Sequence, residues 1–217
     1  MGFLQRLMAN TYDGAMAVYE SHAHERRRAL IERIPHGARV LELGPGTGVN
    51  LEHLAALGRT DITWRGVEPS PPMRLKLAEK VAAGDLTAPA LDFVDLTPTG
   101  HIEADDHSAD VVLSTLVLCS VPDQVQTLAE VHRLLAPGGQ FLFMEHVGAP
   151  RGTTTRRVQT VATPFWRIIT DGCCLNRDTE SVIRGTGFTS VETETYTTHR
   201  KGAPFFVRPH VAGCAIK

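Results

Sequence analysis

The sequence predicts an α/β fold in one domain, a mostly parallel seven-stranded sheet with helices on both faces, and three observations predict it. Short apolar runs alternate with helical patterns along most of the chain. The first run, Val40-Leu41-Glu42-Leu43, opens into glycines at alternate positions, Gly44, Gly46 and Gly48. An acidic residue, Glu68, ends the next run. Strands that alternate with helices pair in parallel and are covered on both faces. A strand that opens into glycines lets bare backbone approach a ligand at the carboxyl edge of such a sheet.

The opening Gly2-Phe3-Leu4-Gln5-Arg6-Leu7-Met8 is a short amphipathic stretch, too short to anchor in a bilayer unaided, and reads as a lid over a pocket. Residues 13–34 carry a helical pattern in which Tyr19, Ala23, Leu30 and Ile34 share a face, and Pro35-His36-Gly37 breaks it. Arg26-Arg27-Arg28 lies in this helix and reads as a solvated face. Further strands are expected at 62–67, 91–94, 110–114 and 140–145, with helices near 51–57, 74–83 and 124–135. The run Leu134-Leu135-Ala136-Pro137-Gly138-Gly139 is a helix stop before an apolar strand. Residues 149–179 depart from the alternation as a polar-then-aromatic insertion, followed by a helix and closing strands at 188–194 and 211–216. The expected organisation is a lid and helix over 1–36, a cofactor-binding core over 37–148, a substrate-side insertion over 149–180 and a closing helix and strands over 181–217.

At 217 residues and 42% hydrophobic, the chain can bury one sizeable core. Its net charge of −2 argues against a nucleic-acid partner, since such domains carry a basic excess. Cys119, Cys173, Cys174 and Cys214 include no Cys-x-x-Cys and no signal-peptide pattern opens the chain, so a reducing cytoplasm is expected. No apolar run reaches the roughly 18 residues that a spanning helix needs. Adjacent Cys173 and Cys174 diverge too readily for a metal, and His22 and His24, two apart, do not share a helix face; no metal is expected.

The acidic end of the second strand, Gly66-Val67-Glu68-Pro69, can accept hydrogen bonds from both hydroxyls of a ribose, which points to an adenosine derivative. The cofactor set from these two turns is Glu42, Gly44, Pro45, Gly46 and Gly48 with Glu68, Pro69, Ser70 and Met73. A dinucleotide fingerprint reads G-x-G-x-x-G and faces a pyrophosphate, whereas Gly44-Pro45-Gly46-Thr47-Gly48 has a shorter spacing. That spacing resembles the Rossmann-like class I methyltransferases, and the expected cofactor is S-adenosyl-L-methionine.

Several blocks resemble one branch of that superfamily, the alkyl-thiol methyltransferases of the methyltransferase-like 7 group. They are Tyr12-Asp13 with Met16-Ala17, Thr115-Leu116-Val117-Leu118-Cys119-Ser120-Val121, Phe143-Met144-Glu145-His146-Val147, Asp171-Gly172-Cys173 with Arg177, and Val207-Arg208-Pro209-His210. The resemblance implies that Gly44, Gly46 and Gly48 cradle the methionine part, Tyr12 closes over it, Glu68 holds the ribose, and Thr115 and Leu116 line the cofactor beside the substrate. Asp95 and Leu96, in the poorly matched loop after the third strand, stand where the adenine amine is held. Pro45 replaces a cysteine common in the family. Animal members carry an apolar N-terminal anchor to membrane and lipid droplets, and this sequence opens past where that anchor would end, so a cytoplasmic protein with no stable membrane association is expected.

Methyl transfer is an in-line displacement, so positioning supplies much of the acceleration and no covalent enzyme intermediate is required. A thiol acceptor reacts as the thiolate. Catechol-type transfer leans on a divalent metal, and no compact Asp/Asn cluster stands at the strand ends, which favours a small apolar thiol. His146, ending the fifth strand, is the preferred base, with a structural histidine as the alternative. Asp171 either orients it or holds a turn with Gly172. Phe165, Trp166, Cys173 and His210 are the candidate substrate-side residues. N- or O-methylation of a small molecule or phospholipid headgroup is the alternative activity, and a nicotinamide oxidoreductase or a silent cofactor-binding partner the remote ones.

Overall fold

The computed structural model describes residues 14, 19–170, 172–198 and 204–217. Two compact units emerge, Met1–Ala104 and Asp105–Lys217. In the first, helix α1 is described over residues 19–31. It is followed by β1 (Arg39–Leu43), α2 (Val49–Ala56), β2 (Thr63–Val67), α3 (Pro71–Ala82) and β3 (Asp92–Phe93). The strands run parallel in the order β3-β2-β1, with Leu43 opposite Val67 and Gly66 opposite Phe93. Because helices cover a parallel sheet, β1 is buried continuously from Val40 to Leu43 rather than at alternate residues. Leu51, Leu54, Trp64 and Leu77 complete that core. Tyr19, Ala23, Leu30 and Ile34 are buried, as their spacing predicts.

Arg27 corrects the reading of the arginine run as a solvated face. It is only 1% exposed, donating from Nε to Glu20 Oε2 at 2.9 Å and from Nη1 to Asn50 Oδ1. The helical period places one arginine of three against α2, and a buried guanidinium persists there because carboxylate and amide oxygens meet it.

The second unit contains β4 (Ala109–Thr115), α4 (Gln124–Leu134), β5 (Leu135–His146), α5 (Thr154–Ile169), α6 (Thr179–Gly185), β6 (Ser190–Thr197), a 3₁₀ turn at Phe205–Val207 and β7 (Pro209–Ile216). Its strand order is β4-β5-β7-β6, with β5 parallel to β4 and β7 antiparallel to both β5 and β6. The helix stop is sharper than its sequence suggests. Helix α4 ends at Leu134 and β5 begins at Leu135, with Ala109 opposite Leu135 and an irregular register before Val111 pairs Gln140.

The insertion is mainly helical. Thr153 caps the 16-residue α5 by accepting from Arg156 N–H. Fully buried Gln159 fastens the helix: Ala149 N–H donates to its Oε1 at 2.8 Å, and its Nε2 donates to Val147 O and Phe206 O. A side-chain amide that satisfies three backbone groups at once is a tertiary fact with no helical or strand period to announce it.

Gly48 caps α2 with φ 95°, and a Cβ built on it would stand 2.6 Å from Leu77 Cδ1. A left-handed backbone and a filled space act together there. Gly48→Ala is expected to destabilise the fold by about 1–3 kcal/mol in denaturant unfolding; an unchanged midpoint would show that α2 can begin without the glycine.

Candidate active site

In the first unit the glycine turn and the end of β2 are joined through one carboxylate. Gly46 N–H donates to Glu68 Oε2 at 2.9 Å and Ser70 N–H to Oε1 at 2.9 Å. Gly44, Gly46 and Gly48 have φ of 55°, 57° and 95°, a left-handed backbone that glycine adopts without strain. Glu68 is 6% exposed, and Arg74 Nε donates to its carbonyl while Nη1 and Nη2 reach Asp95 Oδ1 at 3.3 and 3.2 Å. Asp95 is thereby held by an arginine that also lies over the Phe93 ring at 5.1 Å. Pro69 is exposed, Ser70 is the N-cap of α3, Met73 N–H bonds Ser70 O, and Leu96 bridges Ile102.

Beneath the turn Glu42 is 1% exposed, accepting from Asn50 Nδ2 at 2.8 Å and Trp64 Nε1 at 2.8 Å. Burial pushes its carboxyl up to about 7 despite those donors. Pro45 is buried, and its Cγ and the Trp64 ring occupy the space where a side chain on Gly66 would lie. Gly66 thus allows Trp64 to reach Glu42.

In the second unit β4 ends at Thr115, and Leu116 takes φ 61°, a strained value for a leucine, with its N–H on Met144 O at 2.9 Å. Fully buried Glu145 holds the loop that follows, accepting from Ser114 Oγ at 2.7 Å, Val117 N–H at 3.2 Å and Leu118 N–H at 2.9 Å. Burial raises its carboxyl to about 7. Arg177 donates to Leu118 O and Val121 O, both at 2.6 Å, and Cys174 N–H donates to Cys119 O at 2.8 Å. These bonds dock the segment around Cys173 onto the loop after β4.

That docking brings Cys173 to Cys119 and to His146. Cys173 Sγ lies 4.0 Å from His146 Nδ1. The proximity of the two thiols splits them: it draws Cys173 down, helped by His146 and Trp166 against burial, and it pushes Cys119 well up, together with burial. His146 is 5% exposed and its Nε2 is buried with no hydrogen-bond partner among the described residues. His210 Nδ1 donates to Arg208 O at 2.8 Å, and burial lowers its basicity to about 4, so it is neutral at pH 7. Its ring meets His146 edge-on at 5.6 Å and stacks on Tyr196 at 5.4 Å. A cavity of about 1070 Å³ in this unit is lined by His210, Tyr196, Val147, Arg177 and Phe205 among others.

A family model described as a methyltransferase domain matches residues 17–192. Human thiol S-methyltransferase TMT1B is 35% identical over 185 residues, covering 82% of this chain and 70% of that protein. Human thiol S-methyltransferase TMT1A is 32% identical over 209 residues, covering 92% and 82%. The chain is a class I S-adenosylmethionine-dependent methyltransferase, close to the methyltransferase-like 7 group. A solved structure described as a methyltransferase of Thermotoga maritima, possibly acting on histamine, superposes with a TM-score of 0.68 at 18% identity over 100% of both chains. Phosphoethanolamine N-methyltransferase 2 of Haemonchus contortus, in complex with S-adenosyl-L-methionine, gives 0.71 at 17% identity over 100% of this chain and 60% of that one. At these identities the likeness shows the α/β methyltransferase fold.

The cofactor of this methyltransferase is S-adenosyl-L-methionine, and the first unit fits it. A carboxylate accepts about four hydrogen bonds, so Glu68 can fasten two backbone turns and still meet a ribose diol. Gly44 and Gly46, left-handed and without side chains, set bare backbone beside it.

Tyr12 and Asp171 lie outside the described residues. Of the substrate-side residues, Cys173 and His210 meet His146 directly, and Trp166 packs edge-on against Phe206 at 5.6 Å and acts on the Cys173 thiol. Phe165 does not: at 74% exposed it forms neither core nor cavity wall, because α5 turns it away from the face that carries Gln159. Sequence reasoning passed over Cys119 and Glu145 as site residues. The adjacency of Glu145 to His146 at the strand end was the available signal for Glu145; the pairing of Cys119 with Cys173 had none.

Replacing Glu68 with Ala in the methyltransferase is expected to weaken S-adenosylhomocysteine binding by about 1.5–3 kcal/mol, the range for a hydrogen bond to a charged group. Calorimetry measures it, and unchanged affinity would remove Glu68 from the cofactor site.

Glu42 and Glu145 both have folded-state values near 7 against 4.5 in an unfolded chain. Their contribution is complete below the lower value and lost as pH rises through the higher one, because the folded state then retains protons the unfolded state has released. The stability these two carboxyls contribute should therefore fall between pH 4.5 and 7, against the opposite contributions of His210 and Cys173, whose values are lowered. The test is a difference between proteins: Glu145→Gln, although less stable overall, should lose less melting temperature over that window than the unsubstituted protein does, and a constant difference would mean that Glu145 is ionised throughout.

Proposed function

We propose that this methyltransferase methylates the sulfur of a small apolar thiol, with His146 Nε2 taking the thiol proton. The observation that carries the proposal is the buried Nε2, which has no partner among the described residues and is therefore placed to take a proton. The thiol assignment draws on the names of the human relatives and on a donor set free, among the described residues, of clustered carboxylates beside His146.

The neighbouring groups prepare the histidine for this task. Cys173, drawn toward the thiolate, faces Nδ1. A thiolate there accepts the Nδ1 hydrogen, which leaves the lone pair on Nε2 and steadies the imidazolium once the proton arrives. Buried Cys119, whose thiol is turned to Leu116 O and Ser120 Oγ, stays a neutral thiol beside Cys173. Trp166 and His210 supply apolar ring surface around the pair. Glu145 orders the loop bearing Thr115 and Leu116, so that residues assigned to the cofactor side keep one geometry. When bound, S-adenosyl-L-methionine supplies an activated methyl group on a sulfonium centre. The reading places the reaction in the cytoplasm with no stable membrane association, supported by four free cysteines and by the absence, among the described residues, of a helix long and apolar enough to cross a membrane.

Incubation with labelled S-adenosyl-L-methionine and a panel of thiols, amines and catechols tests the acceptor; labelling of amines or catechols alone would replace the thiol with nitrogen or oxygen. His146→Ala is expected to slow transfer to a high-pKa alkyl thiol by roughly 10²–10⁴ at neutral pH, and transfer to an acidic aryl thiol, already ionised, far less. Equal slowing of both would make His146 structural, and no slowing of either would remove it from the mechanism.

A further inference from the structure

In the first unit, α1 and α2 gather two imidazoles and a carboxylate. Glu20 and His24 stand one turn apart on α1 and therefore share a face, whereas His22 points elsewhere. His53 comes from α2, with its ring 4.6 Å from that of His24. One donor atom from each of Glu20, His24 and His53 lies within 4.8 Å of the others. Glu20 Oε1 is 2.6 Å from His53 Nε2 and 3.9 Å from His24 Nδ1.

We propose that Glu20, His24 and His53 bind a divalent transition-metal ion of the zinc or cobalt type. Three donors converging from two helices form an open half of a coordination sphere, and the remaining positions face outward, where a cavity of about 550 Å³ borders Glu20 and His24 and admits water ligands. Two imidazole nitrogens with one carboxylate oxygen suit zinc, cobalt or nickel; calcium and magnesium demand oxygen donors.

The carboxylate is already aimed. Arg27, 1% exposed and itself held by Asn50, binds Glu20 Oε2 at 2.9 Å and leaves Oε1 turned toward the two histidines. His53 is buried at its ring while His24 is half-exposed, so the ion has one fixed ligand and one that can swing to meet it. The hydrogen bond between His53 and Glu20 holds the two donors together until an ion takes the proton's place. An ion at this point would staple α1 to α2, the helix that begins at the glycine turn.

The test needs no methyl transfer. Purified full-length protein is titrated with cobalt(II), followed by visible absorption, and with zinc(II) by calorimetry, with a thermal melt at each ratio. One ion per chain is expected, without a thiolate-to-cobalt band, and with a zinc-induced rise in melting temperature because the ion binds the folded state. His24→Ala, at a half-exposed position that does not threaten folding, should weaken binding by at least about 10-fold, the least that loss of a supporting contact around a metal costs. Glu20→Gln should do the same, and His22→Ala should change nothing. No binding at millimolar ion, or binding that survives His24→Ala and Glu20→Gln, overturns the site; a thiolate band abolished by Cys173→Ser would place the ion on the cysteines instead.

Discussion

Backbone N–H groups in a tight turn have no strand or helix to bond to, and burying them requires an acceptor brought from elsewhere. This chain meets the requirement twice with a glutamate at the end of a parallel strand. Glu68 accepts from Gly46 and Ser70, and Glu145 accepts from Val117 and Leu118. The turn after β1 and the turn after β4 both owe their shape to such a carboxylate. Glu68 ties the glycine turn to the start of α3, while Glu145 is wholly interior, and its raised value records what burying a carboxylate costs even with three donors in place.

The insertion after β5 extends the same logic through longer side chains. Gln159 fastens α5 by its amide and Arg177 fastens the segment after α5 by its guanidinium, each bonding two backbone carbonyls. Their joint effect is chemical. They carry Cys173 to His146 and Cys119, so that a histidine ending a strand acquires a thiol on one nitrogen and, among the described residues, keeps no partner on the other. The departure of Cys173 and Cys119 in opposite directions follows from one proton shared between two sulfurs in a site with little water.

Charged residues of the first unit form a second interior network, running from His53 and Glu20 through Arg27 and Asn50 to Glu42 and Trp64. It links α1, α2 and the strands beneath the glycine turn. Arg27 is the residue in it that the sequence misrepresents, because a run of three arginines on an amphipathic helix reads as solvated unless a partner across the helix is known.

Local pattern was sufficient for the α/β class, the strand positions, the glycine turn with Glu68, and the family to which the chain belongs. Each rests on spacing along a single stretch, where period and backbone sterics are decided by neighbours in sequence. Tertiary structure alone decided the rest: that threonine-rich residues 153–155 open a helix, that Phe165 faces water, that Arg27 is buried, and that Cys119, Cys173 and His146 meet. Residues 119, 146 and 173 stand in three separate segments, and their meeting depends on hydrogen bonds that Arg177 and Gln159 donate to, and Glu145 accepts from, backbone atoms far away in sequence. Such bonds select a partner by position in space and carry no periodicity, so nothing in the order of residues announces them before the chain has folded.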